Sequence, residues 1–168
     1  DVVNVLKRFH ITEPELLAAA ILHDVVEDTR DRHNEVKTRD IVELFGERVG
    51  KIVEAVTSEP GENRKIRNAL TYPKIRNAGW EALVVKLADR IANVEFGVKN
   101  GGGALAMYQK EHADFRHGVY IEADNPDAYI QDQGIKMWHH LNGIVAPPPP
   151  KGKYDGKPAH EQSRWEPK

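Results

Sequence analysis

The chain has 168 residues, 40% hydrophobic and 30% charged, with 24 basic and 26 acidic side chains and a formal net charge of −2 at pH 7. That balance suits one hydrophobic core and excludes the global basic field that recruits nucleic acid or an anionic membrane. The absence of cysteine excludes a disulfide framework or thiolate metal site and fits a cytoplasmic location; no apolar run is long enough to span a bilayer.

Helical patterns run almost throughout. Val2, Val5, Leu6 and Phe9 recur at helical spacing. The chain opens with Asp1 at the cap of this helix rather than with Met, so further residues are expected upstream. Thr12-x-x-Glu15 predicts a capping box, with Pro14 in the helix's first turn, where a missing N–H does no harm. Leu16, Leu17, Ala20, Ile21 and Val25 supply that helix's buried side. Residues 30–37, "RDRHNEVK", are polar and aperiodic and predict a loop. Thr38 then caps a short helix that Gly46 ends. Val49, Ile52, Val53 and Val56 mark the next helix, and "SEPGEN" the next loop.

The basic segment 64–77 is expected to kink or split at Pro73. Residues 80–96, "WEALVVKLADRIANVEF", are apolar on nearly every side and predict a helix through the middle of the domain. "KNGGGA" predicts a loop, followed by helices over 104–117 and 126–142, the last ended by Gly143. Alternating strand patterns are nearly absent. The expected fold class is all-α, with a multi-helix body over 1–145 and a polar, proline-rich tail over 146–168 that cannot form a packed core.

The stretch "AAILHDVVEDT" crowds His23, Asp24, Glu27 and Asp28 onto an otherwise apolar segment. On a helix His23 and Glu27 are four apart, as are Asp24 and Asp28, so the four share adjacent rows of one surface. They repel or desolvate one another unless something positive sits among them. Imidazole and carboxylate suit Mn, Fe, Zn or Co better than Ca or Mg. An exposed acidic turn with an incidental histidine explains this segment equally well. A second segment shifts the balance. Asp89 is a lone acid in the apolar "VVKLADRIAN", and an isolated buried carboxylate is costly unless paired or metal-bound. Arg90 alone could pair with it, whereas a metal joining Asp89 to His23 and Asp24 accounts for both segments together.

"AAILHDVVEDT", "FGERVGKIVEAVT" and "VVKLADRIANV", in this order and approximate spacing, resemble the HD-domain alarmone hydrolases. These are the hydrolase half of RelA/SpoT proteins and its small stand-alone metazoan form. The resemblance covers roughly residues 2–96. It implies a compact HD-domain bundle and removal of the 3′-pyrophosphate from ppGpp and pppGpp, dependent on Mn²⁺ or another divalent transition metal. By position, it implies that His23, Asp24 and Asp89 hold the metal and that Glu27 and Asp28 position or activate the attacking water. Asn93, Arg64, Arg67 and Tyr108 would face the nucleotide. Arg64 and Arg67 could equally be solvated helix charges, Tyr108 a core residue, and Lys86 either a snorkelling or a catalytic cation. Tyr108 and Glu111, three apart, suggest a helix that turns polar groups inward.

Three departures stand out. The family's first metal histidine, of an "HP" motif, would fall just before Asp1, and no other histidine has a matching context, although His33 could approach by loop folding. The 30–37 loop is a few residues longer than usual, which would reshape the pocket mouth. No synthetase-like domain follows. The expected partner is a small phosphorylated nucleotide, not nucleic acid or membrane. Two alternatives remain: an HD-type phosphatase acting on another nucleotide such as NADPH, and a non-catalytic alarmone-binding module.

Overall fold

Helical spacing in the sequence becomes helix in nearly every predicted segment. The computed structural model describes residues 2–101, 103–121 and 128–146. Among them it forms α1 (Val2–Arg8), α2 (Pro14–Leu22), α3 (Val25–Thr29), α4 (Thr38–Phe45), α5 (Glu47–Val56), α6 (Arg64–Ala78), α7 (Trp80–Asn100), α8 (Gly103–Gly118) and α9 (Ala128–Val145). No strand is present among the described residues. The fold is all-α, and no described helix is long and apolar enough to cross a membrane. The tail expected over 146–168 lies outside the described residues, apart from Ala146.

The near-continuous apolar run 80–96 builds the centre. α7 packs against α1, α2, α5, α6, α8 and α9, and Leu83, Leu87 and Ile91 along it are fully buried. Phe115 from α8, Met137 and Leu141 from α9, Ile75 from α6 and Leu16 from α2 close around them. Burying an aliphatic or aromatic side chain contributes about 1.5–3 kcal/mol, so the helix with most neighbours holds the layers together. At the edge, Arg8 donates to both oxygens of Glu95 at 2.7 and 3.0 Å. His140 meets Glu95 Oε1 at 2.7 Å, tying α1, α7 and α9.

Several boundaries differ from the sequence expectations. Thr12 does not cap α2: the cap is Glu13, with no side-chain bond to the helix N-terminus. Glu13 instead accepts from the Thr12 N–H at 3.1 Å. Likewise Lys37, not Thr38, caps α4, its N–H donating to Asp40 at 2.8 Å. α6 runs unbroken through Pro73. The carbonyl that Pro73 leaves without a donor belongs to Ala69, four residues earlier, and Ala69 is exposed, so the missing bond falls on the solvent side of the helix. α7 continues to Asn100, and the glycine loop shrinks accordingly. A Cβ on Gly97 would lie 3.3 Å from the Leu105 backbone, so the bare glycine lets α8 return close against α7. α9 runs past Gly143 because Val145 still has core to bury, being 3% exposed.

Gly79 is the single residue between α6 and α7, with φ +88. An L side chain rarely adopts that conformation, and it allows α7 to start at once and pack against α6.

Gly134, inside α9, faces Trp80: an added Cβ would lie 2.6 Å from the ring. Gly134→Ala is expected to lower unfolding free energy by about 1–3 kcal/mol through overpacking, despite better helix propensity. Gly143→Ala on the same helix, where a Cβ meets nothing, should instead stabilise by up to about 1 kcal/mol. Urea denaturation of the two variants checks the contrast.

Candidate functional site

α2 ends at Leu22 and α3 begins at Val25, so His23 and Asp24 occupy a turn between two helices. The continuous helix expected through 23–28 is interrupted there. Asp24 adopts φ −102, ψ −8, and the β-branched pair Val25–Val26 that follows does little to favour an unbroken helix. The break lets the imidazole fold back so that Nδ1 donates to the Ala20 carbonyl at 2.9 Å. With Nδ1–H committed, Nε2 faces two carboxylates, Asp24 Oδ2 at 2.9 Å and Asp89 Oδ1 at 3.7 Å.

Asp89 reaches this point from the central helix, and its partners come from its own turns. Lys86 Nζ lies 3.0 Å from Oδ2, and Asn93 Nδ2 donates to Oδ1 at 2.6 Å and to the Asp89 carbonyl at 3.0 Å. Arg90, the partner suggested by adjacency, points elsewhere, donating to the Tyr108 carbonyl at 3.3 Å. Burial opposes ionisation of Asp89, but the Lys86 ammonium and then His23 hold its carboxyl well below the usual carboxylate range. Burial likewise opposes the charge on Lys86, and Asp89 outweighs it, raising the amine's pKa. For His23, burial again works against the cation. Hydrogen bonds and charge from Asp24 and Asp89 overcome it and lift the pKa to about 10.

A cavity of about 220 Å³ opens beside this cluster. Asp24, Glu27, Asp28 and Asp89 line it, with Arg64 from α6, Asn93 from α7 and Tyr108 from α8. Glu27 and Asp28 make no side-chain hydrogen bond or ion pair with described residues and are exposed. Arg67 does not line the cavity; its guanidinium turns to the Gly61 carbonyl, at 3.4 Å. On α6, Asn68 and Thr71 follow Arg64 by four and seven residues and share its face, and they line the wall instead. His33 is exposed and stands away from the cavity. The loop that begins at Arg30 does touch the rim, for Arg30 Nη2 donates to the Ser58 carbonyl at 2.9 Å.

Lys86, for which the sequence left a snorkelling and a catalytic role open, also lines the cavity, as do Arg90, Tyr72, Ser58, Asn68 and Thr71, which were not assigned to the site from sequence. Helical spacing to Asp89 and Arg64 was the available signal for Lys86, Asn68 and Thr71. For Arg90, the signal was a charged residue on a helix with no polar face. Arg90 Cζ lies 4.8 Å from the centre of the Tyr108 ring and Arg64 Cζ 5.5 Å.

The donor set fits a divalent ion in part. Ligand atoms about 2.1 Å from a common ion stand roughly 3–3.5 Å apart, close to the spacing of His23 Nε2 from its two carboxylates. The bond from Nδ1–H to the Ala20 carbonyl fixes the ring's orientation and tautomer, as a metal-binding imidazole requires. Yet among the described residues no group of three His, Asp or Glu is gathered closely enough to hold an ion by itself. Without an ion, His23 and Lys86 are the groups that face these carboxylates with positive charge.

The HD domain family model matches residues 2–94. The chain is 40% identical over 84 residues to a guanosine-3′,5′-bis(diphosphate) 3′-pyrophosphohydrolase of Aquifex aeolicus, covering 48% of this chain and 11% of that protein. It is 34% identical over 84 residues to the Drosophila melanogaster protein of the same activity name, covering 50% of this chain and 44% of the other. The chain therefore spans less than half the length of these curated relatives. Among solved structures, lmo0812 from Listeria monocytogenes matches 86% of this chain and 95% of its own, with TM-score 0.61 and 21% identity. A metazoan ortholog of SpoT that hydrolyzes ppGpp matches 83% of this chain and 76% of its own, with TM-score 0.59 and 22% identity. These two structures share the fold.

The raised His23 pKa has a measurable consequence. A cation favoured by folding stabilises fully below the unfolded value of 6.5, and the gain is lost as pH rises through the folded value of about 10. In chelator, the protein should lose stability relative to a His23→Gln variant between pH 6.5 and about 10. Because a ligating imidazole must be neutral, divalent-metal binding should release a proton and strengthen as pH rises over the same interval. Denaturation curves and metal titrations across pH check both.

Proposed function

The chain belongs to the HD domain family, and from that premise we propose that it is a metal-dependent phosphohydrolase removing the 3′-pyrophosphate from guanosine alarmones. The products would be GDP or GTP and pyrophosphate. The observation that carries the proposal is the approach of His23, Asp24 and Asp89 at one end of a cavity that Glu27 and Asp28 also line. The names of the curated relatives support the substrate class.

HD-family hydrolases are metal-dependent, and we assign His23, Asp24 and Asp89 as the holders of the ion, with Mn²⁺ as its identity. When bound, such an ion lowers the pKa of water toward about 7 and offsets charge on phosphate oxygens. The remaining ligand is a histidine upstream of Asp1. Val2 and Val3 line one hollow with His23, which supports entry from that side. Asn93 holds the Asp89 carboxylate in place, a role closer to the metal than the nucleotide contact expected for it. Glu27 and Asp28, with carboxylates uncommitted to described residues, take or orient the proton of the attacking water. Lys86 and Arg90 offset charge that grows on the phosphate oxygens, and Arg64 contacts the bound nucleotide.

The test uses the chain extended upstream through that histidine and loaded with Mn²⁺, incubated with ppGpp, pppGpp and NADPH. Pyrophosphate release from the first two is expected. Asp89→Ala should lose metal, whereas Glu27→Ala should retain it and lower kcat by about 10²–10⁴-fold. Phosphate release from NADPH alone would move the assignment to a nucleotide phosphatase. Alarmone binding without turnover would make the domain a binding module, and inactivity without binding would end the alarmone assignment.

A further inference from the structure

Glu111 belongs to α8 and stands behind the cavity wall rather than in it. Its Oε1 accepts from Arg64 Nε at 2.7 Å, while Arg64 itself lines the cavity and is 41% exposed along its side chain. The choice of nitrogen matters. Arg8, in the surface pair with Glu95, turns both terminal nitrogens to its carboxylate, so the two-pronged face of the fork is already taken. Arg64 is gripped only at Nε among the described residues, so its two terminal nitrogens, with four of the guanidinium's five N–H groups, remain for an anion. The Tyr108 ring lies 5.5 Å from Arg64 Cζ and further limits where the guanidinium can turn. Glu111's other oxygen is buried with no hydrogen-bond partner and lies 3.9 Å from Arg90 Nη1. A buried acceptor left half-used is costly to keep, and a carboxylate that only neutralised a surface arginine would not need to sit there.

We infer that Glu111 is a positioning residue that holds Arg64 by Nε so that its terminal nitrogens meet a phosphate group of the nucleotide in the cavity. This inference rests on the phosphohydrolase assignment. A long cation held before binding loses less freedom when the ligand arrives. Glu111 therefore acts on substrate capture, not on the metal or the water.

The experiment uses the extended, Mn²⁺-loaded protein and reads KM, kcat, metal content and binding of inorganic pyrophosphate. Glu111→Gln keeps an acceptor but loses the charge, and Arg64→Lys keeps the charge but loses the fork. Each is expected to raise KM for ppGpp on the order of 10-fold, with kcat within about 2-fold and metal content unchanged. Pyrophosphate should bind more weakly in step. In an Arg64→Ala background, Glu111→Gln should change KM no further, because its effect passes through Arg64. An unchanged KM in Glu111→Gln, or an equal KM change with and without Arg64, overturns this inference while leaving an active wild type in place. A wild type that cuts no nucleotide and binds no pyrophosphate overturns the functional assignment and this inference together.

Discussion

Asp89 is ionised on the most enclosed helix of the fold, and most of the site follows from how that charge is kept. An unpaired carboxylate in such surroundings costs several kcal/mol after relaxation. The charge is retained because three groups converge on it: the Lys86 ammonium one turn before, the Asn93 amide one turn after, and His23 from a different segment. Two of the three come with the helix. The third forces the turn between α2 and α3 to lie against α7, which brings Asp24, Glu27 and Asp28 to the same cavity. The electrostatic need of one residue thus fixes where the acidic segment must dock.

Cations share the cavity with these acids. Arg64, Lys86 and Arg90 line it, the guanidinium groups of Arg64 and Arg90 lying 5.5 and 4.8 Å from the centre of the Tyr108 ring. Charges of both signs around one cavity make a field suited to a ligand that is itself charged. Arg90 is 4% exposed and its Nε has no hydrogen-bond partner among described residues. Its guanidinium packs 4.2 Å from the centre of the Phe115 ring, so the aromatic core supports the charge from behind.

The parts of this arrangement legible in the sequence were those that broke a local pattern. A single acid in an apolar helix is conspicuous because its cost must be met somewhere, and so is a cluster of acids beside a histidine on an alanine-rich segment. Pattern could not show the turn at His23–Asp24, since the imidazole's approach to Asp89 across the fold is a tertiary contact and Val25–Val26 disfavours an unbroken helix only weakly. Arg67 looked equivalent to Arg64 by composition, yet helical geometry turns it toward Gly61 and gives its place to Asn68. Pro73 looked like an interruption because the exposure of the orphaned carbonyl is a tertiary property. The Thr12 box does not form: Glu13 takes the cap position with no side-chain bond to the helix and accepts instead from the Thr12 N–H.

The one-residue joint at Gly79 bears on how the molecule reaches this state. It joins helices of 15 and 21 residues that pack on each other, so the cavity's cations and Asp89 lie within one short span of chain. Closing so small a loop costs little entropy, and contacts of that kind form early. His23 and Asp24 lie some way upstream and must dock across a much longer stretch. The α6–α7 side is therefore poised to assemble first, and the acidic turn at His23–Asp24 to dock late.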